Sequence, residues 1–236
     1  MSGVDAQSEK RAAAEAAADL VEAGMVVGLG TGSTAAFFVK ALSSRKLAVR
    51  CVATSKATRA LAEELGLTVA DLDEVRTLEL TVDGADEIAP DLSLIKGGGG
   101  ALLAEKLTWI ASRRCVVIAD ASKRVKTLGA VPLPIEVTPF AHGLTARRLV
   151  ALFGSLGLAP RLEIRGGEGE PFRTDSGNYI YDARLGEIAQ PERLAAELDH
   201  VVGVVEHGLF LGLAERALIA SGEEIEVLER KGGRRA

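Results

Sequence analysis

The sequence predicts an α/β fold: an open, mostly parallel sheet with helices on both faces, joined to a small α+β domain of the ferredoxin-like kind. Three observations predict it. Short apolar runs alternate with helical segments as far as residue 130, the pattern of βαβ units and a parallel sheet. Pro132, Pro134 and Pro139 then punctuate a change of character. Beyond them the elements read β-α-β-β-α, the order of a small α+β unit. The expected division is a first domain of residues 1–130 and 206–236 and a small domain of residues 131–205. A chain of 236 residues can bury such cores without disulfides.

Taken in order, Ser8 to Ala23 is rich in Ala and Glu and predicts a helix that stops at Gly24. Met25 to Leu29 is a buried strand ending in glycines. Ser33 to Leu42 is an amphipathic helix, with Ala36, Phe37, Val39 and Leu42 apolar. Leu47 to Ala53 is a strand, Lys56 to Leu65 a helix ended by Gly66, and Leu67 to Ala70 a short strand. Leu78, Leu80 and Val82 alternate up to Asp83 and predict another strand. Ala101 to Ala111 is a helix with Leu103, Leu107 and Ile110 on its apolar face. Cys115 to Ala119 is again a buried strand. In the second region Leu133 to Val137 is a strand and His142 to Leu156 a helix. Pro160 to Ile164 and Asn178 to Asp182 are hairpin strands, and Pro191 to Leu198 is a helix. Gly208 to Leu211 and Ile225 to Leu228 are expected to return to the first sheet, and Arg230 to Ala236 to fray.

Composition excludes several classes of function. Lys plus Arg is 28 and Asp plus Glu is 33, a net charge of −5, so no basic footprint for nucleic acid is present. Aromatic residues are 4% of the chain, too few for base-stacking platforms. Two cysteines, Cys51 and Cys115, make neither a disulfide scaffold nor a Cys₄ zinc site. Both read as buried thiols of a reducing compartment. Met1 to Lys10 lacks the apolar core of a signal peptide, and no apolar run reaches membrane-spanning length. The expectation is a cytoplasmic protein without membrane or nucleic-acid partners.

Four clusters carry chemistry. Gly28 to Thr34 (GLGTGST) lies at a strand-to-helix turn, where glycines permit close approach and the helix N-terminus favours an anion. Ser33 stands where a dinucleotide fingerprint needs its third glycine, and no carboxylate follows near Ala53 to Lys56. Gly32 is followed by Ser33 rather than the lysine of a P-loop. Two readings remain, a cradle for a small-molecule monophosphate and a glycine turn with a capping hydroxyl. Asp83 to Glu87 (DGADE) follows a buried strand, so Asp83 and Asp86 can face one crevice or cap a turn. Lys96 to Ala101 (KGGGGA) places a lysine before four glycines, with Glu105 about one turn into the next helix. Lys96 can neutralise an oxyanion and Glu105 can act as a base. The plainer alternatives are a flexible linker and a solvated helix-face carboxylate. Ala119 to Arg124 (ADASKR) supplies Lys123 at the same sheet edge, or a capped loop. His142, His200 and His207 have no metal-ligand spacing, so no metal and no cofactor are expected. All four clusters follow predicted parallel strands and are expected to converge on one edge, where a phosphate cradle, two aspartates, a lysine and a glutamate in one crevice suit proton transfer on a sugar phosphate.

These residues, with TSKAT at Thr54 to Thr58, DSGN at Asp175 to Asn178 and GLF at Gly208 to Phe210, resemble the ribose-5-phosphate isomerase A family over essentially the whole chain. The resemblance implies a Rossmann-like domain plus the small α+β domain. It also implies cofactor-free, reversible conversion of D-ribose 5-phosphate to D-ribulose 5-phosphate. It assigns Glu105 as the proton carrier between C2 and C1 through a cis-enediolate, and Lys96 as the stabiliser of negative charge. Asp83 and Asp86 would assist ring opening and hydroxyl proton movement. Thr31, Gly32, Ser33, Thr34, Gly84, Ala85, Gly97, Gly98, Gly99 and Lys123 would bind substrate, joined by Lys10 near the phosphate. Homodimers or homotetramers are implied. The segment Gly166 to Glu170 is an elaboration outside these motifs. Competing readings are a sugar-phosphate sensor, which need not keep Lys96 and Glu105, and a related acyl-CoA transferase or amino-sugar phosphate deaminase. The transferase would form a glutamyl thioester.

Overall fold

The computed structural model describes residues 5–222 and 224–230. Helix α1 (Ala6–Ala18) starts where Asp5 accepts a hydrogen bond from the Ser8 amide at 2.8 Å, an N-cap that satisfies a free donor. It ends five residues before the expected Ala23, in a turn where the Ala18 and Val21 carbonyls accept from the Arg45 guanidinium. Its Ala13, Ala14, Ala17 and Ala18 are buried, so the small face lets α1 lie close on the sheet and on α2 (Ser33–Ser44).

The main sheet is built from β1 (Val26–Leu29), β2 (Arg50–Ala53), β3 (Thr68–Ala70) and β4 (Leu80–Asp83). With them run β7 (Cys115–Asp120), β13 (Arg216–Ser221) and β14 (Glu224–Glu229). Their order is β14-β13-β7-β4-β1-β2-β3, and every neighbouring pair is parallel except β13 and β14. The chain runs outward from β1 through β2 and β3 on one side, and through β4, β7 and β13 on the other. The strand order therefore reverses between β1 and β4, which opens a crevice beyond their carboxyl ends.

Alternation along β7 shows the two buried faces. Val116 and Ile118 pack with α1, α2 and α3 (Lys56–Glu64) on one side. Cys115, Val117 and Ala119 pack with Leu102 and Trp109 of α4 (Leu102–Ile110) on the other. The apolar face expected of α4 is not the buried one. Leu107 and Ile110 are exposed, and Leu102, Glu105, Thr108 and Trp109 face inward. Burying the indole and its neighbours fixes that rotation, and it carries Glu105 into the interior.

Two short strands, β5 (Glu87–Ile88) and β6 (Leu94–Ile95), form an antiparallel pair that β12 (Leu209–Phe210) extends. Two expectations change here. The segment 208–211 joins this small sheet rather than the main one. Lys96 follows β6, not a parallel strand of the main sheet. The main sheet is instead extended by β13, which the sequence pattern did not mark.

The second region is β8 (Leu133–Val137), α5 (His142–Ser155), β9 (Arg161–Ile164), β10 (Tyr179–Arg184), α6 (Pro191–Leu198) and β11 (Val204–His207). The strand β11 completes a β-α-β-β-α-β order. The antiparallel sheet runs β11-β8-β10-β9, the ferredoxin-like arrangement, over a core that includes Leu149, Phe153, Leu194 and Leu198. Glu87 is buried and accepts from the Gly129 and Val131 amides at 2.7 and 2.6 Å, tying the chain leading into β8 back to the β5–β6 pair. Cys51 and Cys115 are buried and not joined in a disulfide, and burial pushes the Cys51 thiol up to about 12. The expected fraying of Arg230 to Ala236 falls, beyond Arg230, outside the described residues. Arg230 itself donates its amide to the Glu215 carbonyl at 3.0 Å.

Candidate active site

The crevice at the strand reversal holds a cavity. The turn after β1 contributes Thr31, Gly32, Ser33 and Thr34, and the turn after β4 contributes Gly84, Ala85 and Asp86. The loop after β6 contributes Lys96, Gly97, Gly98 and Gly99. Glu105 comes from α4, Lys123 from the single turn Ala121–Lys123 after β7, and Lys10 from α1. Of the site residues expected from sequence, all but Asp83 line this cavity.

The turn after β1 is shaped by what lies beneath it. A Cβ on Gly30 would stand 2.0 Å from Asp83 Oδ1 and 2.6 Å from Asp83 Cα, so no side chain fits. Gly32 has φ +104°, a left-handed conformation that suits glycine, and it launches α2 with its N-terminal amides toward the cavity edge. Thr31 does not present its hydroxyl as a free donor. Its Oγ1 is engaged with the Thr54 hydroxyl at 2.8 Å and the Thr58 hydroxyl at 3.3 Å, which gives the TSKAT segment a role in holding this turn. Ser33 Oγ accepts from Lys10 Nζ at 3.1 Å, so the first helix places its ammonium at the start of α2.

Lys96 is the centre of the site. Its Nζ lies 3.0 Å from Asp83 Oδ2 and 3.3 Å from Glu105 Oε2, and donates to the Gly84 carbonyl at 2.6 Å. Asp83 is fully buried below the cavity wall, where it accepts from the Thr31 and Gly84 amides at 3.1 and 2.8 Å. Asp83 therefore reaches the cavity through Lys96, whereas Asp86 faces it and accepts from the Gly98 amide at 2.8 Å.

The profile of ribose 5-phosphate isomerase A (phosphoriboisomerase A) matches residues 50–224. A protein named ribose-5-phosphate isomerase A from Caulobacter vibrioides is 58% identical over 227 residues, covering 96% of this chain and 100% of its own length. One from Bradyrhizobium diazoefficiens is 51% identical, covering 94% and 95%. Among solved structures, the ribose 5-phosphate isomerase from Plasmodium falciparum superimposes with a TM-score of 0.90 at 34% identity, covering 96% of this chain and 100% of that one. A D-ribose-5-phosphate isomerase in complex with phospho-erythronic acid gives a TM-score of 0.89 at 34% identity, with the same coverage.

The chain belongs to the ribose 5-phosphate isomerase A family.

In this ribose 5-phosphate isomerase A family member, two buried carboxylates share one buried ammonium. Burial first, and the charge of Asp83 second, push the Glu105 carboxyl up to about 8, against the opposing pull of Lys96. Burial also pushes Asp83 up, opposed by Lys96 and by the two amides it accepts from. Burial alone would lower Lys96, but Asp83 and Glu105 outweigh it, so the ammonium keeps its proton more firmly than a free lysine. Its Nζ also lies 5.5 Å from the Trp109 ring centre and 5.4 Å from that of Phe210, and the two rings meet edge-to-face at 5.5 Å. Sequence reasoning did not single out Trp109. The available signal was the chain's one tryptophan, four residues after Glu105 on the same helix face.

His207, which has no ligand spacing in sequence, comes together with Asp199 and Glu206. The Lys106 ammonium occupies that cluster, 2.5 Å from Glu206 Oε1 and 2.8 Å from the His207 carbonyl. Burial, then Lys106, push the His207 imidazole down to about 3, so it is neutral there.

Gly30→Ala is expected to lower kcat/KM by on the order of 10²-fold, because the new methyl displaces Asp83 and with it Lys96. Steady-state kinetics beside a thermal melt check this. A folded variant with near-normal turnover would show that Asp83 does not need its present position.

Proposed function

We propose that this chain is a ribose-5-phosphate isomerase, interconverting D-ribose 5-phosphate and D-ribulose 5-phosphate through a cis-enediolate, and that its cavity residues act as follows. The observation that carries the reading is the buried Lys96 ammonium set between Asp83 and Glu105 in a cavity edged by Lys10 and Lys123. Family membership supports the same reaction.

The phosphate is held by Lys10, Lys123, the Ser33 and Thr34 hydroxyls and the N-terminal amides of α2. That places the sugar carbons toward Glu105. The Glu105 carboxylate takes the proton from C2, and the C–H electron pair becomes the C1–C2 double bond. Negative charge collects on O1 beside Lys96. Asp86 carries the hydroxyl proton from O2 to O1, and Glu105 returns its proton to C1. No atom is gained or lost. Asp83 fixes Lys96 from below and keeps its charge available to the oxyanion. The glycines of residues 97–99 and the Gly84–Ala85 turn supply backbone that approaches the substrate closely.

The test is ribulose 5-phosphate formation from ribose 5-phosphate with EDTA present. Turnover should persist in the chelator. Loss of turnover that a divalent ion restores would overturn the metal-free scheme. Because Glu105 must be ionised to act, kcat/KM should rise with pH from about pH 6, pass its half-maximum near pH 8 and level off above about pH 9. A flat profile over that interval would mean that Glu105 is already ionised at pH 6 and is not raised in the folded chain.

We further propose the division of the chain into a Rossmann-like catalytic domain (1–130 and 206–236) and a small α+β domain (131–205), and assembly as a homodimer or homotetramer in the cytoplasm, with no nucleic-acid or membrane partner. Supporting this, Phe140 and Val202 are 89% and 77% exposed, apolar surface of the kind that a second copy covers. Two cysteines not joined in a disulfide suit a reducing compartment. Among the described residues no helix is long and apolar enough to cross a membrane.

A further inference from the structure

The glycine loop that lines the cavity is gripped from outside by the small domain. Arg165 follows β9, and its guanidinium is spent in two directions. Nε and Nη2 form a fork on Asp182 of β10, at 2.9 Å to Oδ2 and 2.6 Å to Oδ1. Nη1 donates to the Gly97 carbonyl at 3.0 Å and the Gly98 carbonyl at 3.1 Å. The Asp182 fork fixes the plane of the guanidinium, as bidentate carboxylate pairs do, and that plane aims the remaining N–H groups at the loop.

Fixing two consecutive carbonyls fixes two consecutive amides. In a trans-planar peptide the N–H points opposite to the C=O. The Gly97 carbonyl faces Arg165, and the Gly98 N–H accordingly points away from it, to Asp86 Oδ2 at 2.8 Å. The Gly98 carbonyl also faces Arg165, so the Gly99 N–H is turned away as well, and Gly99 lines the cavity. A second contact closes the other end of the loop. The Phe172 ring lies over Gly100, where a Cβ would meet it at 2.6 Å, and the Arg165 guanidinium sits 5.8 Å from the ring centre. The Phe172 amide donates to the Arg165 carbonyl at 2.8 Å, so ring and guanidinium form one unit.

Four consecutive glycines have the largest backbone freedom to lose on ordering. A loop of that kind would ordinarily be ordered at the expense of ligand affinity. We propose that Arg165, held by Asp182 and covered by Phe172, is a positioning residue that orders the 97–100 loop before substrate arrives. Through this contact the small domain sets the hydrogen-bond donors facing the substrate and the orientation of Asp86. The kinetic part rests on the isomerase reading above; the ordering of the loop does not.

The experiment compares wild type, Arg165→Gln, Arg165→Lys and Phe172→Ala by two readouts. The first is steady-state isomerisation of ribose 5-phosphate. Arg165→Gln should raise KM by roughly tenfold, the affinity equivalent of freezing about one backbone residue, with kcat within about threefold of wild type. Arg165→Lys keeps the charge but cannot span Asp182 and both carbonyls, so it should fall between. Phe172→Ala should move KM the same way by less, and serves if Arg165→Gln does not fold. The second readout is amide hydrogen exchange without substrate. Residues 97–101 should exchange faster in Arg165→Gln while β10 keeps its protection. Unchanged exchange in the loop overturns the proposal, as does a fall in kcat with KM unmoved, or a lowered melting temperature with neither readout altered. If wild type does not isomerise ribose 5-phosphate, the functional reading fails, and the exchange experiment still decides the clamp.

Discussion

Glu105→Gln is expected to remove about 10²–10⁴-fold of kcat while leaving a folded protein. The amide has the size of the carboxyl and can still accept from Lys96, but it cannot take a proton from carbon. The same substitution carries a stability signature. The Glu105 carboxyl sits at about 8 in the folded chain against 4.5 for an unperturbed glutamate, so between those values the folded state binds more protons than the unfolded one. Its contribution to stability is therefore complete below the ordinary carboxylate value and is lost as pH rises through about 8. Glutamine does not titrate. Relative to the variant, wild type should lose melting temperature steadily from about pH 5 to about pH 9. Thermal melts of both proteins across that range check the sign. A difference that stays constant with pH would mean that Glu105 titrates as an ordinary carboxylate.

Lys96→Met should have the second large effect, on stability and turnover together. The ammonium is the countercharge for two buried carboxylates, and removing one partner of such a group costs about 3–5 kcal/mol. The loss should be largest near pH 9, where both carboxylates would be ionised and facing each other. It should shrink near pH 5, where Glu105 is protonated. Catalysis should fall by about 10²–10³-fold, mostly in kcat, since the charge on O1 develops only along the reaction. Urea melts at the two pH values, with steady-state kinetics, test both parts. A variant with raised KM and intact kcat would make Lys96 a binding residue.

The two predictions concern groups of different visibility in the sequence. Lys96 announces itself by standing before four glycines, and Asp83 and Asp86 by following a buried strand. Most strands were equally plain, because β1 and β7 are short, mostly apolar runs and β4 and β8 carry apolar residues at alternate positions, nearly all of them buried. The strand β11 (VVEH) was missed for the opposite reason. It is partly exposed, bulged between Val204 and Glu206, and begins directly after a turn, so it carries neither alternation nor a clean apolar run. The strand β13 (RALIAS) reads as readily as a helix, and only its parallel pairing with β7 makes it a strand.

Helix α4 shows how far pattern reasoning goes. Its three apolar positions Leu103, Leu107 and Ile110 suggested one face. Yet packing chose the face with Leu102 and the indole of Trp109, and this rotates Glu105 inward. Periodicity measures where apolar side chains lie around a helix, not what the opposing surface has room for. Similarly, the paired aspartates looked equivalent in DGAD. The backbone of the β4 turn separates them, placing Asp83 beneath Lys96 and Asp86 on the cavity wall.

By itself the sequence determined the α/β class, the order of nearly all elements and the residue types of the site, because strands, turns and glycine-rich loops are local consequences of apolar runs and backbone freedom. The tertiary structure alone decided which aspartate lines the cavity, which way Glu105 is shifted, and that Arg165 donates to two carbonyls of the glycine loop. Those properties depend on distances and desolvation between segments far apart in the chain. Arg165 is 68 residues from Gly97, and no local pattern encodes an interaction of that span.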